Sequence, residues 1–240
     1  MKPRLDRLLV ERGLAASREK AQALIMAGEV LVDGRKAEKP GQPVAIECRL
    51  DVLARPPFVG RGGLKLDAAL DHFAIIVTGR VCLDIGASTG GFTDCLLQRG
   101  AARVHAVDVG SGQLDWKIRN DPRVVVHERL NARYLRGEDI GEPIGLAVYD
   151  VSFISVTLIL PAAIPLLQPG GEMVILVKPQ FEVGKGQVGK GGIVREPELQ
   201  EAACRRVGEA ARQLGFETSI MESPILGAEG NREFLLYAHH

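Results

Sequence analysis

The strongest structural signal in the chain is the run VCLDIGASTGGF at residues 81–92. Its first five residues are mostly apolar and predict a buried β-strand, after which the sequence changes to glycine and small polar residues. Glycine permits a tight turn and a close approach of the backbone to a ligand, and the residues from Gly91 onward predict a helix. This strand, turn and helix form the first step of a βαβ fold.

The sequence on either side continues the alternation of strands and helices. Predicted strands cover residues 81–85, 104–109, 124–128, 146–151 and 173–178, and predicted helices cover residues 66–72, 91–99, 155–167 and 197–214. Two further strands are expected at 217–223 and 233–239. The pattern predicts an α/β fold, a Rossmann-like doubly wound sheet of five parallel strands with an antiparallel end.

The glycine spacing of this loop is Gly-x-x-x-Gly-Gly. It differs from the Gly-x-Gly-x-x-Gly of dinucleotide sites, which disfavours a nicotinamide-dependent oxidoreductase, and no Gly-Lys-Ser/Thr follows it. An acidic residue before the loop would repel a phosphate but suits the cationic amino-acid end of S-adenosylmethionine. We therefore expect that cofactor to contact Asp84, Gly86, Ala87, Ser88, Gly90, Gly91 and Phe92.

Two residues after the next strands complete the predicted cofactor site. Asp108 ends the second strand, where a carboxylate can accept both hydroxyls of an adenosine ribose. Asn131, just past the third strand, can bond an adenine edge. The competing interpretations are a capping role for Asp108 and ordinary turn chemistry for Asn131.

Four polar residues fall where the ends of strands and helices converge, namely Lys65, Asp150, Lys178 and Glu233. Two lysines and two carboxylates fit methyl transfer to a ribose hydroxyl, a poor nucleophile whose proton must be removed. A lysine beside another cation in a partly desolvated site can act as that base. We expect Lys178 to be the base, Asp150 to orient it, Lys65 to place the substrate and Glu233 to anchor Lys65 or the ribose. Surface salt bridges are the alternative, and Glu229 competes with Glu233.

Residues 1–55 predict a small α+β module. Helices are expected at 4–13 and, capped by Ser17, at 18–27, followed by a strand at 30–32, a turn at Asp33-Gly34 and another strand at 44–46. Residues 1–60 contain 11 lysines and arginines against 8 aspartates and glutamates, although the whole chain is neutral. We expect RNA phosphates to contact Arg4, Arg18, Lys20, Arg35 and Lys36. A solvated basic surface is the alternative.

Residues 54–60 contain two prolines and a glycine and predict a linker. The predicted domains are therefore 1–55, which binds RNA, a linker at 56–61, and 62–240, which binds the cofactor. A loop at 184–192 holds five glycines with Lys185 and Lys190, and we expect it to be mobile and to close over RNA. A surface loop without a role is the alternative.

Composition bounds the class of protein. With 46% hydrophobic and 25% charged residues, the chain fits a globular protein with a real core. No apolar run of about 18 residues is present, so no spanning helix is expected, and no secretory signal is expected either. Four scattered cysteines predict neither disulfides nor a metal site. A cytoplasmic monomer is expected.

Several segments resemble known families. The pattern RLDRLL, SREKA and GEVLVDG within residues 4–34 is similar to the RNA-binding module first seen in a small-subunit ribosomal protein. The order Lys65, Asp150, Lys178, Glu233 resembles the tetrad of FtsJ-like ribose methyltransferases. The segments GRGGLKL, DIGASTGGFTD and KPQFE resemble the TlyA subfamily, which joins the two domains.

That resemblance covers nearly the whole chain and implies cytidine 2′-O-methylation of ribosomal RNA or ribosomal subunits. Two alternatives stay open. One is a non-catalytic RNA-binding factor of ribosome assembly that retains a methyltransferase fold. The other is a membrane-active haemolysin, a name that members of this subfamily carry, although no amphipathic or apolar segment of adequate length supports it.

Overall fold

The computed structural model of the protein describes residues 2–53 and 56–240. The chain divides into two units, Met1–Pro56 and Pro57–His240, each considered by itself below. Met1, Ala54 and Arg55, which belong to the predicted domain of residues 1–55, lie outside the described residues. The predicted domain limits stay a prediction.

The first unit pairs two helices with a small antiparallel sheet. Its elements are α1 (Leu5–Glu11), α2 (Arg18–Met26), β1 (Val30–Val32), β2 (Arg35–Lys36) and β3 (Leu50–Val52), with the strand order β2-β1-β3. The Ser17 hydroxyl caps α2 by accepting from the Lys20 backbone N–H at 3.3 Å, as the sequence predicted. Asp33 and Gly34 have φ angles of 50° and 79°, the left-handed pair that a two-residue hairpin turn requires.

The prediction of a strand at residues 44–46 was wrong, because the third strand is β3. The backbone carbonyls of Ile46 and Cys48 accept hydrogen bonds from the Arg12 guanidinium, the latter at 2.7 Å. Val44 donates its N–H to the Pro3 carbonyl at 3.0 Å. Arg12, the C-cap residue of α1, thus satisfies backbone carbonyls that a strand ladder would otherwise use.

The second unit is built on a seven-stranded sheet with the order β6-β5-β4-β7-β8-β10-β9. The first five strands in that order are parallel, and β10 runs antiparallel to both of its neighbours, as predicted. The strands are β4 (Val81–Ile85), β5 (Arg103–Asp108), β6 (Val124–Glu128), β7 (Ile144–Tyr149), β8 (Leu167–Val177), β9 (Glu217–Glu222) and β10 (Phe234–His239).

Helices cover both faces of this sheet. They are α3 (Gly62–His72), α4 (Gly91–Gln98), α5 (Trp116–Arg119), α6 (Gly137–Ile140), α7 (Leu160–Ala163), α8 (Pro179–Glu182) and α9 (Pro197–Gln213). Alternate strand residues enter opposite cores, because strand side chains point to the two faces in turn. Cys82 packs in the core that contains α3 and α4, and Leu83 packs in the core that contains α7 and α9.

Two predicted elements of this unit needed correction. Phe58, inside the predicted linker 56–61, is buried and fills the space that a side chain at Gly63 would occupy, while the limits of the linker stay a prediction. The helix α3 starts at Gly62, so the predicted start at residue 66 was wrong. The predicted helix at 155–167 is broken into short 3-10 and α segments, since Pro161 and Pro165 interrupt a continuous hydrogen-bond ladder.

We predict that Asp6 holds the first unit together. Its carboxylate is fully buried and accepts hydrogen bonds from Arg4, Arg18 and Gln22 at 2.9–3.0 Å, and the Arg4 guanidinium foremost holds its pKa well below the usual range. Asp6→Ala should lower the free energy of opening this unit by about 2 kcal/mol. Native-state amide exchange in α1 and α2 measures that opening.

The matched control is Asp51→Ala, which removes an exposed pair with Arg49 from the same unit and should change stability by less than about 0.5 kcal/mol. Since the pKa of Asp6 is lowered by folding, its contribution is complete above the ordinary aspartate pKa of about 3.9 and is lost as the pH falls further. Equal protection in the two variants would contradict the prediction.

Candidate functional site

The glycine loop joins β4 to α4 and contains backbone conformations that residues with a Cβ rarely adopt. Gly86 and Gly90 have φ angles of 88° and 95°. A Cβ at residue 86 would lie 2.5 Å from the backbone oxygen of Asp150, so only glycine fits there. The Ser88 backbone N–H donates to Asp108 Oδ2 at 2.8 Å, which ties the loop to the end of β5.

A cavity of about 450 Å³ opens beside this loop. Ile85, Gly86 and Ser88 form part of its wall, with Asp108 and Asn131 from the next two strand ends. The rest of the wall consists of Val107, Val109, Gln113, Leu130, Ala132, Ile159 and residues 150–154. Four of the predicted cofactor residues thus line one cavity that also contains Asp150.

The other predicted residues of the loop lie behind this wall. Ala87 lines a small neighbouring recess together with Asp108. Gly90, Gly91 and Phe92 are buried at the start of α4, where a Cβ at Gly91 would lie 3.1 Å and 3.2 Å from backbone atoms of Gly63 and Gly60. These residues shape the loop rather than line the cavity.

Asp84 is buried completely, and one of its two oxygens is unpartnered. Its Oδ2 accepts from the Thr93 hydroxyl at 2.6 Å, whereas Oδ1 has no hydrogen-bond donor among the described residues. Burial raises the pKa of Asp84 to about 7, and the negative charges of Asp150 and Asp108 add to the increase. A cation brought close to Asp84 would favour its ionised form.

Asp108 and Asn131 both have local structural partners. Asp108 Oδ1 accepts from the Gly110 N–H at 2.7 Å, in addition to the bond from Ser88. Asn131 Oδ1 accepts from the Arg133 N–H at 3.1 Å and begins a short 3-10 turn. Each carboxylate or amide oxygen has a second lone pair, so these bonds fix the side chains without exhausting their hydrogen-bonding capacity.

Lys178 and Asp150 form an ion pair at the cavity. Lys178 Nζ lies 2.6 Å from Asp150 Oδ1, in a geometry that is not that of a directed hydrogen bond, and donates to Ser152 Oγ at 3.0 Å. The two side chains are 11% and 24% exposed, so the pair is partly shielded from water but still accessible to a substrate. β7 and β8 are adjacent parallel strands whose ends lie side by side.

Lys65 and Glu233 form a second, more deeply buried pair. Lys65 Nζ donates to Glu233 Oε2 at 2.5 Å, and the side chains are only 10% and 3% exposed. Glu229, the alternative partner, is exposed four residues earlier. Gly62, three residues before Lys65 in the first turn of α3, lies next to Asp150, because a Cβ at Gly62 would be 3.3 Å from Asp150 Oδ2.

The predicted RNA-binding residues differ in their surroundings. Arg4 and Arg18 share Asp6 and are about half exposed. Lys20, Arg35 and Lys36 are exposed in the first unit, and Lys190 is exposed in the loop at 184–192 of the second. The side chain of Lys185 lies outside the described residues. RNA contact by these residues stays a prediction.

The sequence did not single out four residues that shape this site. Ser152 holds Lys178, and Phe153 lines the cavity with 91% exposure and a left-handed φ of 66°. Gly62 leaves room for Asp150, and Gly227 leaves room for Glu233, whose carboxylate occupies the place of a Cβ at that position. Ser152 and Phe153 follow Asp150 directly and Gly62 falls within the segment GRGGLKL, but no local pattern reveals Gly227.

The described residues contain no cluster of three or more histidine, cysteine or acidic side chains that could hold a metal ion. Among the helices of residues 2–53 and 56–240, none combines the length and the apolar character needed to cross a bilayer.

Comparison with known proteins gives two family matches and several full-length relatives. Residues 58–240 match the FtsJ-like methyltransferase family, and residues 3–47 match the S4 domain. A Mycobacterium tuberculosis protein named 16S/23S rRNA (cytidine-2'-O)-methyltransferase TlyA is 51% identical over 98% of this chain and 88% of its own length. A Brachyspira hyodysenteriae protein named Hemolysin A is 43% identical over 98% of both chains.

Among solved structures, one described as a candidate hemolysin from Streptococcus thermophilus is 44% identical and superposes with a TM-score of 0.76. The match covers 99% of this chain and 88% of that one. The family matches, the full-length relatives and the shared architecture agree, and the chain belongs to the TlyA family of FtsJ-like methyltransferases.

Proposed function

We propose that this enzyme transfers a methyl group from S-adenosylmethionine to a ribose 2′-hydroxyl, that of a cytidine, in ribosomal RNA. The observation that carries the proposal is the Lys178–Asp150 pair, whose Asp150 lines the same cavity as Asp108. Methyl transfer to a hydroxyl needs a base next to the cofactor site, and Asp108 can accept the hydroxyls of the cofactor's ribose in that cavity.

The residues present fit S-adenosylmethionine. The cavity volume of about 450 Å³ lies within the range of small-molecule sites. Gly86 lines the cavity and has no side chain that would keep a ligand away from the backbone. The buried Asp84, with its unpartnered Oδ1, supplies negative charge next to this residue. Asp108 would accept the ribose hydroxyls and Asn131 would bond the adenine edge, while the loop at 86–92 would follow the rest of the molecule. When bound, the cofactor supplies an electrophilic methyl group on a sulfonium.

The residues of this chain supply a base and its orientation. In the proposed step Lys178 in its neutral amine form would take the 2′-hydroxyl proton on Nζ, while the ribose 2′-oxygen would receive the methyl group that the bound cofactor supplies. Asp150, 2.6 Å away, stabilises the ammonium that forms, and Ser152 fixes the direction of Nζ. Most of the rate enhancement then comes from holding the reacting atoms in line.

Lys65 and Glu233 would place the target ribose beside this base. Their pair is largely shielded from water, with Lys65 10% and Glu233 3% exposed, which restricts the movement of both side chains. Removing one member of a buried pair leaves an uncompensated charge, so each side chain depends on the other. Because Glu233 holds Lys65, we assign both a positioning role, with Lys65 facing the substrate and Glu233 anchoring Lys65.

Ribosomal RNA as the substrate is supported by the S4 domain and by the names of the relatives. The basic residues of the first unit, Arg4, Arg18, Lys20, Arg35 and Lys36, together with Lys185 and Lys190, would contact phosphates. Such contacts hold an RNA without reading its sequence, so the choice of cytidine must come from the site itself.

The deciding experiment is transfer of labelled methyl from S-adenosylmethionine to purified unmodified ribosomal subunits. Label in a nuclease-resistant dinucleotide establishes 2′-O-methylation and identifies the nucleotide. Label on a base contradicts the proposed chemistry. No transfer by protein that binds the cofactor favours the alternative of a non-catalytic assembly factor.

Lys178→Ala should abolish methyl transfer, with at least about a hundredfold loss of kcat, because the 2′-hydroxyl proton then loses its proposed acceptor. Its affinity for S-adenosylmethionine, measured by calorimetry, should stay within about threefold of wild type. Asp108→Ala is the matched contrast, since it removes a cofactor contact and should weaken cofactor binding about tenfold or more. Normal turnover by the Lys178 variant would rule out this lysine as the base.

Cofactor binding should depend on pH through Asp84. Because the pKa of Asp84 is raised to about 7, its carboxylate gains a proton, and loses its attraction for a cation, as the pH falls below 7. Affinity for S-adenosylmethionine should therefore fall about tenfold from pH 8 to pH 6. Asp84→Asn should bind weakly at pH 8 and change little with pH.

The control for this measurement is Glu201→Gln, a surface substitution on α9 away from the cavity, which should keep the wild-type pH profile. In the Asp84→Asn variant the Thr93 hydroxyl can still donate to the amide oxygen of the new side chain, so the loop should stay folded. Wild-type affinity that is constant from pH 6 to pH 8 would contradict the assignment of Asp84.

A further inference from the structure

Glu182 is a buried carboxylate near the proposed active site that no step of the proposed reaction uses. It is the last residue of α8, four residues after Lys178, and it is only 3% exposed. Burial of a carboxylate costs free energy unless hydrogen bonds satisfy its oxygens. In this protein a separate segment of the chain supplies those bonds.

Both oxygens of Glu182 are bound by the segment that follows β7. Glu182 Oε2 accepts from the Ser155 hydroxyl at 2.5 Å, and Oε1 accepts from the Val156 backbone N–H at 2.8 Å. Ser155 Oγ also lies 2.7 Å from the hydroxyl of Thr157, which can donate to it. Burial raises the pKa of Glu182, and its hydrogen bonds with Ser155 and Val156 oppose the increase.

These hydrogen bonds join two segments that the proposed base already connects. Lys178 Nζ lies 2.6 Å from Asp150 Oδ1, at the ends of β8 and β7. From that pair the chain runs along residues 150–155 on one side and along residues 178–182 on the other, and Glu182 joins their far ends. The two segments are therefore held together at both ends, and a shift of one relative to the other must break contacts.

A third contact lies between these two ends. The rings of Phe153 and Phe181 have centroids 5.3 Å apart and are tilted by 52°. Phe153 has a left-handed φ of 66°, which a residue with a side chain adopts at a cost and keeps only where its surroundings enforce it. The hydrogen bonds to Glu182 begin two residues after Phe153 and supply part of that restraint.

Glu182 has support that is independent of the segment it binds. Arg206, on α9, donates from Nη1 to the backbone carbonyl of Glu182 at 2.8 Å. This bond involves no residue of the segment 150–157. The carboxylate is thus presented from a turn that α9 holds, and it can act as an anchor for the segment after β7.

The anchored segment carries the group that directs the proposed base. Ser152 Oγ accepts from Lys178 Nζ at 3.0 Å and lines the cavity, three residues before Ser155. Without the Glu182 contacts, this segment would be free to move at its far end, and Ser152 would move with it. A displacement of about 1 Å in a reacting geometry can cost about a hundredfold in rate.

We propose that Glu182 is a positioning residue for methyl transfer, which holds the segment of residues 150–155 so that Ser152 keeps Lys178 correctly directed. The inference rests on the proposed function for the identity of the reaction. Glu182 acts through its two hydrogen bonds to the segment after β7, and the role requires no contact between Glu182 and the substrate.

The first test is the rate of methyl transfer to unmodified ribosomal subunits by full-length variants. Glu182→Ala should lower kcat about tenfold to a hundredfold, because Ser152 is no longer held in place. Its KM for S-adenosylmethionine, and its affinity measured by calorimetry, should stay within about threefold of wild type. A loss of cofactor affinity as large as the loss of kcat would overturn the proposal, since it indicates a general defect of the site.

Rescue by a neutral side chain of the same length is the second test. In Glu182→Gln the amide oxygen can accept from the Val156 N–H while the amide nitrogen donates to Ser155 Oγ, so kcat should stay within about threefold of wild type. Glu182→Asp keeps the charge but is one methylene shorter, so it should lower kcat and provides the comparison if Glu182→Ala does not fold. The reverse order, with Asp more active than Gln, would overturn the proposal.

The matched control is Glu172→Ala. Glu172 is a partly buried carboxylate on β8 with two side-chain partners, Arg80 and Tyr237, but it lies near the opposite end of that strand. Its removal should lower thermal stability as Glu182→Ala does and leave kcat within about threefold of wild type. An equal loss of kcat in both variants, or wild-type kcat in Glu182→Ala, would overturn the proposal.

A double-mutant cycle with Ser152→Ala tests the route of the effect. If Glu182 acts by holding Ser152, both substitutions remove the same interaction, and the double variant should lose little more kcat than Glu182→Ala alone. Losses of kcat that multiply in the double variant would show that Glu182 acts by another route.

Hydrogen exchange measured by mass spectrometry reads the contact without any methyl transfer. Backbone amides of residues 151–157, including the Val156 N–H, should exchange at least about tenfold faster in Glu182→Ala than in wild type, and at the wild-type rate in Glu172→Ala. Unchanged exchange in Glu182→Ala would overturn the proposal. Wild type that transfers no methyl group despite this difference contradicts the proposed function, whereas active wild type with unchanged kcat in Glu182→Ala contradicts only the role of Glu182.

Discussion

The close approach of the ends of β4 and β7, at Gly86 and Asp150, fixes the position of the glycine loop relative to the Lys178–Asp150 ion pair. A Cβ at residue 86 would lie 2.5 Å from the Asp150 carbonyl oxygen, and the Asp150 N–H donates to the Ile85 carbonyl at 2.9 Å. The end of β4 and the end of β7 are therefore held together by backbone atoms alone. The glycine loop starts at one of these strand ends and Asp150 stands at the other. The proposed cofactor loop and the Lys178–Asp150 ion pair can therefore move apart only if the hydrogen bonds between β4 and β7 break.

This approach concentrates negative charge. Asp84, Asp108 and Asp150 lie close enough that the last two raise the pKa of the first, in addition to the effect of its burial. Lys178 compensates Asp150 at 2.6 Å, but the described structure places no lysine or arginine on Asp84 or Asp108. The ion pair between Lys65 and Glu233 is internally neutral and does not change that balance. A cationic ligand in the cavity would restore the charge balance around these three aspartates. This gives a physical reason for an acidic cavity, although the polymeric substrate of the enzyme is itself an anion.

The sequence was sufficient for features that depend on local order. β4 and β6 match their predicted limits, because each is an apolar run between clear turn residues. Features that depend on contacts between distant residues were not predictable in the same way. The Arg12 guanidinium donates to the carbonyls of residues 46 and 48, in a segment where a strand had been predicted. Phe58 lies within the predicted linker but is buried in the core. The room that Gly227 leaves for Glu233 was invisible for the same reason.

Formal charge counts hide how a neutral chain can bind RNA. The 30 basic and 30 acidic residues cancel in sum, but the cancellation is made pair by pair in the folded molecule. An arginine whose guanidinium already holds a carboxylate, as Arg123 holds Asp121, must give up that bond before it can contact a phosphate. An arginine without an internal acceptor has no such cost. The relevant quantity for RNA binding is therefore which cations stay unpaired in the folded molecule, and the formal charge of the whole chain does not give it.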